Sequence, residues 1–263
     1  MEAFAQALQQ SGRLMKLVIG QGEGSTTFYV SKTKLEQTSA YFSAACQNMH
    51  LGGGDPDTLT FPEDNLEAWT VLLHWIFTRE LPKAAELHVL DWDYQMHDTD
   101  HTLCIHCWAL GDKYGIPAFQ DLIMLELLRS IELEPITFEE IKEGYKCTSP
   151  DSKLRDLMAE ELARELSDGF TKTADLDAFD GVVGFSSGFM AQMTRLAELK
   201  QLDPLNPHVN FHPRVPEGTR MRLEGGSSYR NFMVNGKPPV DHWLQETLEE
   251  LKTLQKGGYG NWH

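Results

Sequence analysis

Between Leu17 and Phe42 the sequence leaves little freedom of fold. Leu17-Val18-Ile19 is a short apolar run stopped by Gly20, and Gly22 and Gly24 supply a turn. Thr26-Thr27-Phe28-Tyr29-Val30 is β-branched and aromatic, as a returning strand requires. Ser31 then stands as a helix N-cap ahead of Lys32 and Leu35, and Ser39-Ala40-Tyr41-Phe42 opens a second helix. A strand hairpin that feeds directly into a helical pair points to an α+β domain.

Further pieces follow in order. Thr58-Leu59-Thr60-Phe61-Pro62-Glu63-Asp64 reads as a strand and its exit, and Leu66 to Thr78 as a long helix ending in an aromatic-Thr pair. Ala109 to Gln120 contains Asp112-Lys113-Tyr114-Gly115-Ile116-Pro117. Gly144 to Arg155 has the form Y-x-x-T-x-P-x-x-x-L-R, with Tyr145, Thr148, Leu154 and Arg155 in it. Taken together these pieces resemble the BTB/POZ domain, of fungal type, over roughly the first two thirds of the chain. The resemblance implies a small sheet flanked by helical hairpins, then a helical C-terminal extension and a flexible tail. It also implies a non-enzymatic protein–protein interaction module, self-associating as a homodimer or scaffolding, with no cofactor. A second reading is a substrate adaptor for a cullin-type ubiquitin ligase, since the helices at 137–166 lie where such adaptors place a supporting helical pair. The chain departs from that pattern at three places. Met49-His50-Leu51 lacks the Glu of the hydrophobic-x-Glu element, Ser31 replaces the family's His before Lys32, and Leu14-Met15-Lys16 has no Asp.

Charge narrows the partners. A net charge of −16 over 263 residues opposes binding to nucleic acid or to an anionic membrane surface. No apolar run reaches bilayer length, and Met1-Glu2-Ala3-Phe4 is not expected to begin a secretory leader. The four cysteines, Cys46, Cys104, Cys107 and Cys147, are then expected as reduced thiols in the cytoplasm or nucleus, with Cys46 a small core residue.

The expected organisation is an N-terminal helix over 1–11, the BTB/POZ-like domain over 12–131, a helical extension over 132–200, and a mostly flexible tail over 201–263. Phe4, Ala7 and Leu8 share one face of the first helix and are expected at the self-association surface. Met49 and Leu51 mark the second candidate contact. Glu86 to His101 is an acidic connector with no Lys or Arg, read as an enlarged loop. Beyond Pro135, helices are expected over 137–145, 151–166 and 188–199. Leu154, Leu157, Met158, Leu162 and Leu166 form one stripe, with Glu160, Glu161 and Glu165 facing elsewhere. Residues 203–239 are rich in Pro and Gly and read as loop or disorder. Near 241–255, Trp243, Leu244, Leu248 and Leu251 restore a helical stripe, read either as docking on its own domain or as offered to a partner groove.

Three constellations carry chemistry on paper. His97, His101, Cys104 and Cys107 are zinc ligand types, but a helical rise of about 9 Å from His101 to Cys107 is too long for one ion. The alternative is a three-ligand set of His97, His101 and Cys104 completed by water; the expected metal set is none, with the cysteines packed in a helical hairpin and the histidines on the acidic loop. Gly184-Phe185-Ser186-Ser187-Gly188 matches the nucleophile elbow of α/β-hydrolases, which would make Ser186 the nucleophile of a serine hydrolase. Asp203 or Asp241 with His208, His212 or His242 would complete the triad. The competing reading is a Gly-rich break before a helix, and no catalytic residue is expected. Asp91-x-Asp93-x-Gln95 begins like a calcium loop but has Thr102 at the twelfth position, so it is rejected.

Overall fold

A computed structural model describes residues 13–48, 57–82, 101–167, 169–202 and 232–235. They divide into two compact units. One holds residues 13–48, 57–82 and 106–120; the other holds 101–105, 121–167, 169–202 and 232–235. The architecture is mixed, mostly helix with one small sheet.

In the first unit, β1 (Leu14–Ile19) pairs antiparallel with β2 (Thr26–Ser31) and parallel with β3 (Thr58–Phe61), giving the order β2-β1-β3. Alternation sends Met15, Leu17 and Ile19 into the core and leaves Leu14, Lys16 and Val18 on the other face. The hairpin closes through Gly20 at φ 84° and Gly22 at φ 59°, which side-chain-bearing residues adopt only with strain. The expected N-cap forms, since the Ser31 hydroxyl accepts the Lys34 N–H at the start of α1 (Lys32–Glu36). Ser39 does the same for Phe42 in α2 (Ala40–Asn48).

The long helix α3 (Leu66–Thr78) has the expected bounds. Asn65 caps it by accepting the Ala68 N–H at 2.8 Å, and seven of its residues are buried. It ends at Arg79 in the left-handed region, φ 65°, with the guanidinium stacked over the Trp75 ring at 4.5 Å. That cation–π contact offsets some of the cost of the backbone conformation. Phe42, Phe61, Trp69 and Tyr114 meet edge-on and tilted, with ring centroids 4.6 to 6.3 Å apart. Each such pair adds about 0.5–1.5 kcal/mol beyond its buried area.

Two helices, α4 (His101–Lys113) and α5 (Pro117–Leu133), each contribute residues to both units. Their connection is a Schellman turn: the Ile116 N–H reaches Gly111 O at 2.8 Å, with Gly115 at φ 63°. The expected position 131 thus lies inside α5.

The second unit adds α6 (Phe138–Cys147), α7 (Lys153–Ser167), a 3-10 turn (Thr173–Phe179) and α8 (Phe185–Leu202). Four residues of the leucine stripe, Leu154, Leu157, Met158 and Leu162, are fully buried, and Leu166 at its end is half-buried. The polar side of the helix departs from expectation. Glu160 is only 3% exposed, and Glu161 and Arg164 are buried too. The reason is α8, which starts three residues before the expected position and covers the charged face. Arg195 on α8 donates to Glu160 at 2.7 Å, and Arg164 donates to the other oxygen at 2.6 Å. Two guanidinium groups on one carboxylate make that burial affordable. Phe179, Phe185 and Phe189 stack on one another, the first pair at 4.2 Å.

Among the described residues no helix is long and apolar enough to cross a membrane.

Candidate functional site

Every residue singled out in the sequence as an interaction contact lies outside the described residues: Phe4, Ala7, Leu8, Met49, Leu51, Trp243, Leu244, Leu248 and Leu251. The same holds for His97 and for Asp203, His208, His212, Asp241 and His242. What the structure brings together instead is the residues of the two helical signatures.

In the first unit they converge on Asp64, whose carboxylate is buried at the exit of β3. It accepts Trp69 Nε1–H at 2.8 Å, Lys113 Nζ–H at 2.6 Å, and the Tyr114 hydroxyl. The Lys113-Tyr114 pair of the D-K-Y-G-I-P segment is thus a binding clamp for one carboxylate. Burial drives the Tyr114 phenol far above its usual range, and the hydrogen bond to Asp64 and its negative charge push the same way.

In the second unit they converge on Arg155. Its guanidinium donates to the Thr148 hydroxyl at 3.2 Å, to Val183 O at 3.1 Å, and to the carbonyls of Tyr145 and Thr148. It also lies over the Tyr145 ring at 4.9 Å. The Y-x-x-T…L-R spacing is therefore a spacing of hydrogen-bond partners. A planar fork of five donors suits clustered carbonyls at a helix end, where a lysine would reach only one or two.

The Gly-x-Ser-x-Gly segment belongs to this same cluster. Val182 and Val183, where a nucleophile elbow would need a strand, form part of a turn, and Ser186 is exposed on the first turn of α8. The strand-to-helix setting of a nucleophile elbow is absent there. Gly184 sits at φ 83°, where an added Cβ would lie 3.2 Å from Arg155 Nη1. At Gly188 it would lie 3.1 Å from the Tyr145 hydroxyl, which has no hydrogen-bond partner. Both glycines thus have packing reasons. Gly188→Ala is expected to cost roughly 1 kcal/mol by overpacking. In a Tyr145→Phe background the clash disappears, and the better helix propensity of alanine makes the same change stabilising by about 0.5–1 kcal/mol. Ser186→Ala should leave melting unchanged. Thermal denaturation of the four variants checks all three statements.

His101 corrects another expectation. Far from decorating a loop, it begins α4 and is 2% exposed. Its Nδ1 lies 3.3 Å from Glu140 Oε1, and its Nε2 has no hydrogen-bond partner. Cys104 and Cys107 are buried in the same helix as expected. Among the described residues no three His, Cys, Asp or Glu side chains are grouped to hold a metal ion.

Glu140 also closes a capping box at the start of α6, its Oε2 accepting the Thr137 N–H at 2.6 Å. Burial pushes its carboxyl up, but the hydrogen bonds from His101 and Thr137 outweigh burial and hold it below the ordinary value of 4.5. A lowered folded-state value means the carboxylate stabilises the fold fully above 4.5 and loses that contribution as pH falls through the lowered value. Glu140→Gln keeps the capping geometry and removes the charge. It is expected to flatten the acid limb of a stability-against-pH profile below that point; an unchanged limb would show the carboxylate plays no such part.

Asp121 on α5 was not singled out in the sequence. It is buried, and its carboxylate accepts the N–H groups of Val234 and Asn235, more than a hundred residues along the chain. Burial raises its carboxyl and the two donors pull it back. The signal was present, since Asp121 has Pro117, Ala118, Met124 and Leu125 one turn away and no cation among them. An acid on an apolar helix face without a nearby cation needs donors from elsewhere.

Compared with known proteins, the chain matches no family model, no curated protein and no solved structure.

Proposed function

We propose that this chain is a protein-interaction module of BTB/POZ type, which acts by contact, pairs with a second copy of itself and needs no cofactor. The observation that supports the reading is that three pieces of the resemblance, the hairpin, the β3 exit and the D-K-Y-G-I-P segment, meet in one folded unit. The β3 exit and the D-K-Y-G-I-P segment share the Asp64 carboxylate, beside a three-stranded sheet that the hairpin and β3 build. The outward face of that sheet carries Tyr29, 64% exposed, opposite Lys16, with Leu14 exposed on the same face. Exposed aromatic and apolar groups of this kind are enriched at protein contacts.

Static light scattering of the full chain at high micromolar concentration is expected to give a dimer mass, and Phe4→Asp with Leu8→Asp a monomer with unchanged melting. A monomeric wild-type chain would overturn self-association. The cullin-adaptor reading is favoured by one feature, the consecutive helices α6 and α7 in the expected place. A pull-down from the native cell scored for a cullin tests it, and recovery of other partners without a cullin would remove it.

A further inference from the structure

Residues 203–239 read as loop in the sequence, yet four of them are docked. Phe232 and Met233 are 2% and 4% exposed, whereas Val234 and Asn235 lie at the surface. A four-residue stretch cannot bury two large side chains against itself, so the chain around it supplies their slots. The two exposed residues are held through their main-chain N–H groups. Asp121 Oδ1 accepts the Val234 N–H at 2.6 Å, and Oδ2 accepts the Asn235 N–H at 3.1 Å. Oδ1 also lies 3.3 Å from the Asn235 nitrogen.

This arrangement divides recognition into two parts. Positions 232 and 233 are read by side-chain volume, and positions 234 and 235 only by consecutive backbone N–H groups. Charge-assisted hydrogen bonds of this kind are roughly twice as strong as neutral ones. Asp121 is 2% exposed, so emptying the site leaves a buried carboxylate without the two donors it has here. A site of that chemistry favours occupation by any main chain that offers the same two donors.

We infer that Asp121 and the slots of Phe232 and Met233 form a binding site for a short linear peptide, which this chain keeps filled with its own residues 232–235. In trans it takes a peptide presenting a bulky apolar pair followed by two free backbone N–H groups. The tethered segment competes at an effective concentration in the millimolar range, so an outside peptide gains access only when the tethered copy is weakened. The inference stands independently of the BTB/POZ reading, because it involves no self-association.

The test uses the full chain and a fluorescent synthetic peptide covering residues 229–238. Fluorescence anisotropy should show the peptide binding the Phe232→Ser, Met233→Ser double variant at least about tenfold more tightly than wild type. Adding Asp121→Ala, or methylating the peptide's Val234 and Asn235 amides, should abolish that binding. Absence of binding to a folded double variant, or equal binding of the methylated peptide, would overturn the inference. If the double variant does not fold, hydrogen exchange on the wild-type chain decides. The Val234 and Asn235 amides should exchange far more slowly than free-peptide amides, and exchange at free-peptide rates refutes the dock.

Discussion

Arg155→Ala is expected to destabilise the second unit by on the order of 3–5 kcal/mol, a large part of the roughly 5–15 kcal/mol of an ordinary domain. The substitution strands the carbonyls of Tyr145, Thr148 and Val183 and leaves the Thr148 hydroxyl without its donor. Each buried polar group left unmade costs roughly 1–3 kcal/mol, and relaxation or entering water recovers part of it. The cation–π contact with Tyr145 is lost as well. Arg155→Lys should fall between, because an ammonium keeps the charge but lacks the fork. Urea denaturation followed by circular dichroism gives the comparison. A shift in the midpoint equivalent to less than about 1 kcal/mol for the alanine variant would mean that the cluster is a surface decoration rather than a structural hub.

The second large effect belongs to the first unit. Asp64→Ala removes the acceptor of the Trp69 indole and the Tyr114 hydroxyl, both in the aromatic core. Two buried donors left unmade cost together about 2–6 kcal/mol. Lys113 contributes little to that sum, because its ammonium is half exposed and returns to water. Asp64→Asn keeps one acceptor and turns an amide toward the remaining donors, so it should be intermediate. Tyr114 offers a second readout. Burial is the first cause holding its phenol un-ionised, and Asp64 is the next. An alkaline titration by ultraviolet absorbance should therefore show Tyr114 ionising only with unfolding in wild type, and earlier in Asp64→Ala. Coincident titrations would show that Asp64 does not act on the phenol.

Much of the local architecture was legible from residue order. Ser31 and Ser39 mark helix starts because a short oxygen-bearing side chain there satisfies an N–H that the helix leaves open. Gly20 and Gly22 close the hairpin for a similarly local reason. The leucine stripe of α7 was legible because its spacing matches the helical period. Each of these signals needs only residues within a turn or two of one another.

The candidate sites were legible as strings and opaque as chemistry. Tyr145, Thr148 and Arg155 stood out only as a spacing, and nothing local says that one side chain gathers the others' oxygens. Glu160 looked like a solvated face because its partner Arg195 lies 35 residues further on. Ser186 looked like a nucleophile because Gly184 and Gly188 frame it, and their actual neighbours, Arg155 and Tyr145, belong to other helices.

Residue order by itself therefore determined most of the helices and strands of the described residues and which of their faces are apolar. Tertiary structure alone decided which buried charges survive, because a carboxylate or guanidinium can be taken out of water only where distant donors or acceptors meet it. Asp64, Asp121 and Arg155 are polar residues whose meaning depends on partners about 50, 113 and up to 28 residues away. Sequence periodicity reports hydrophobic faces, which are local; the pairing of buried polar groups is set by which elements the fold brings together.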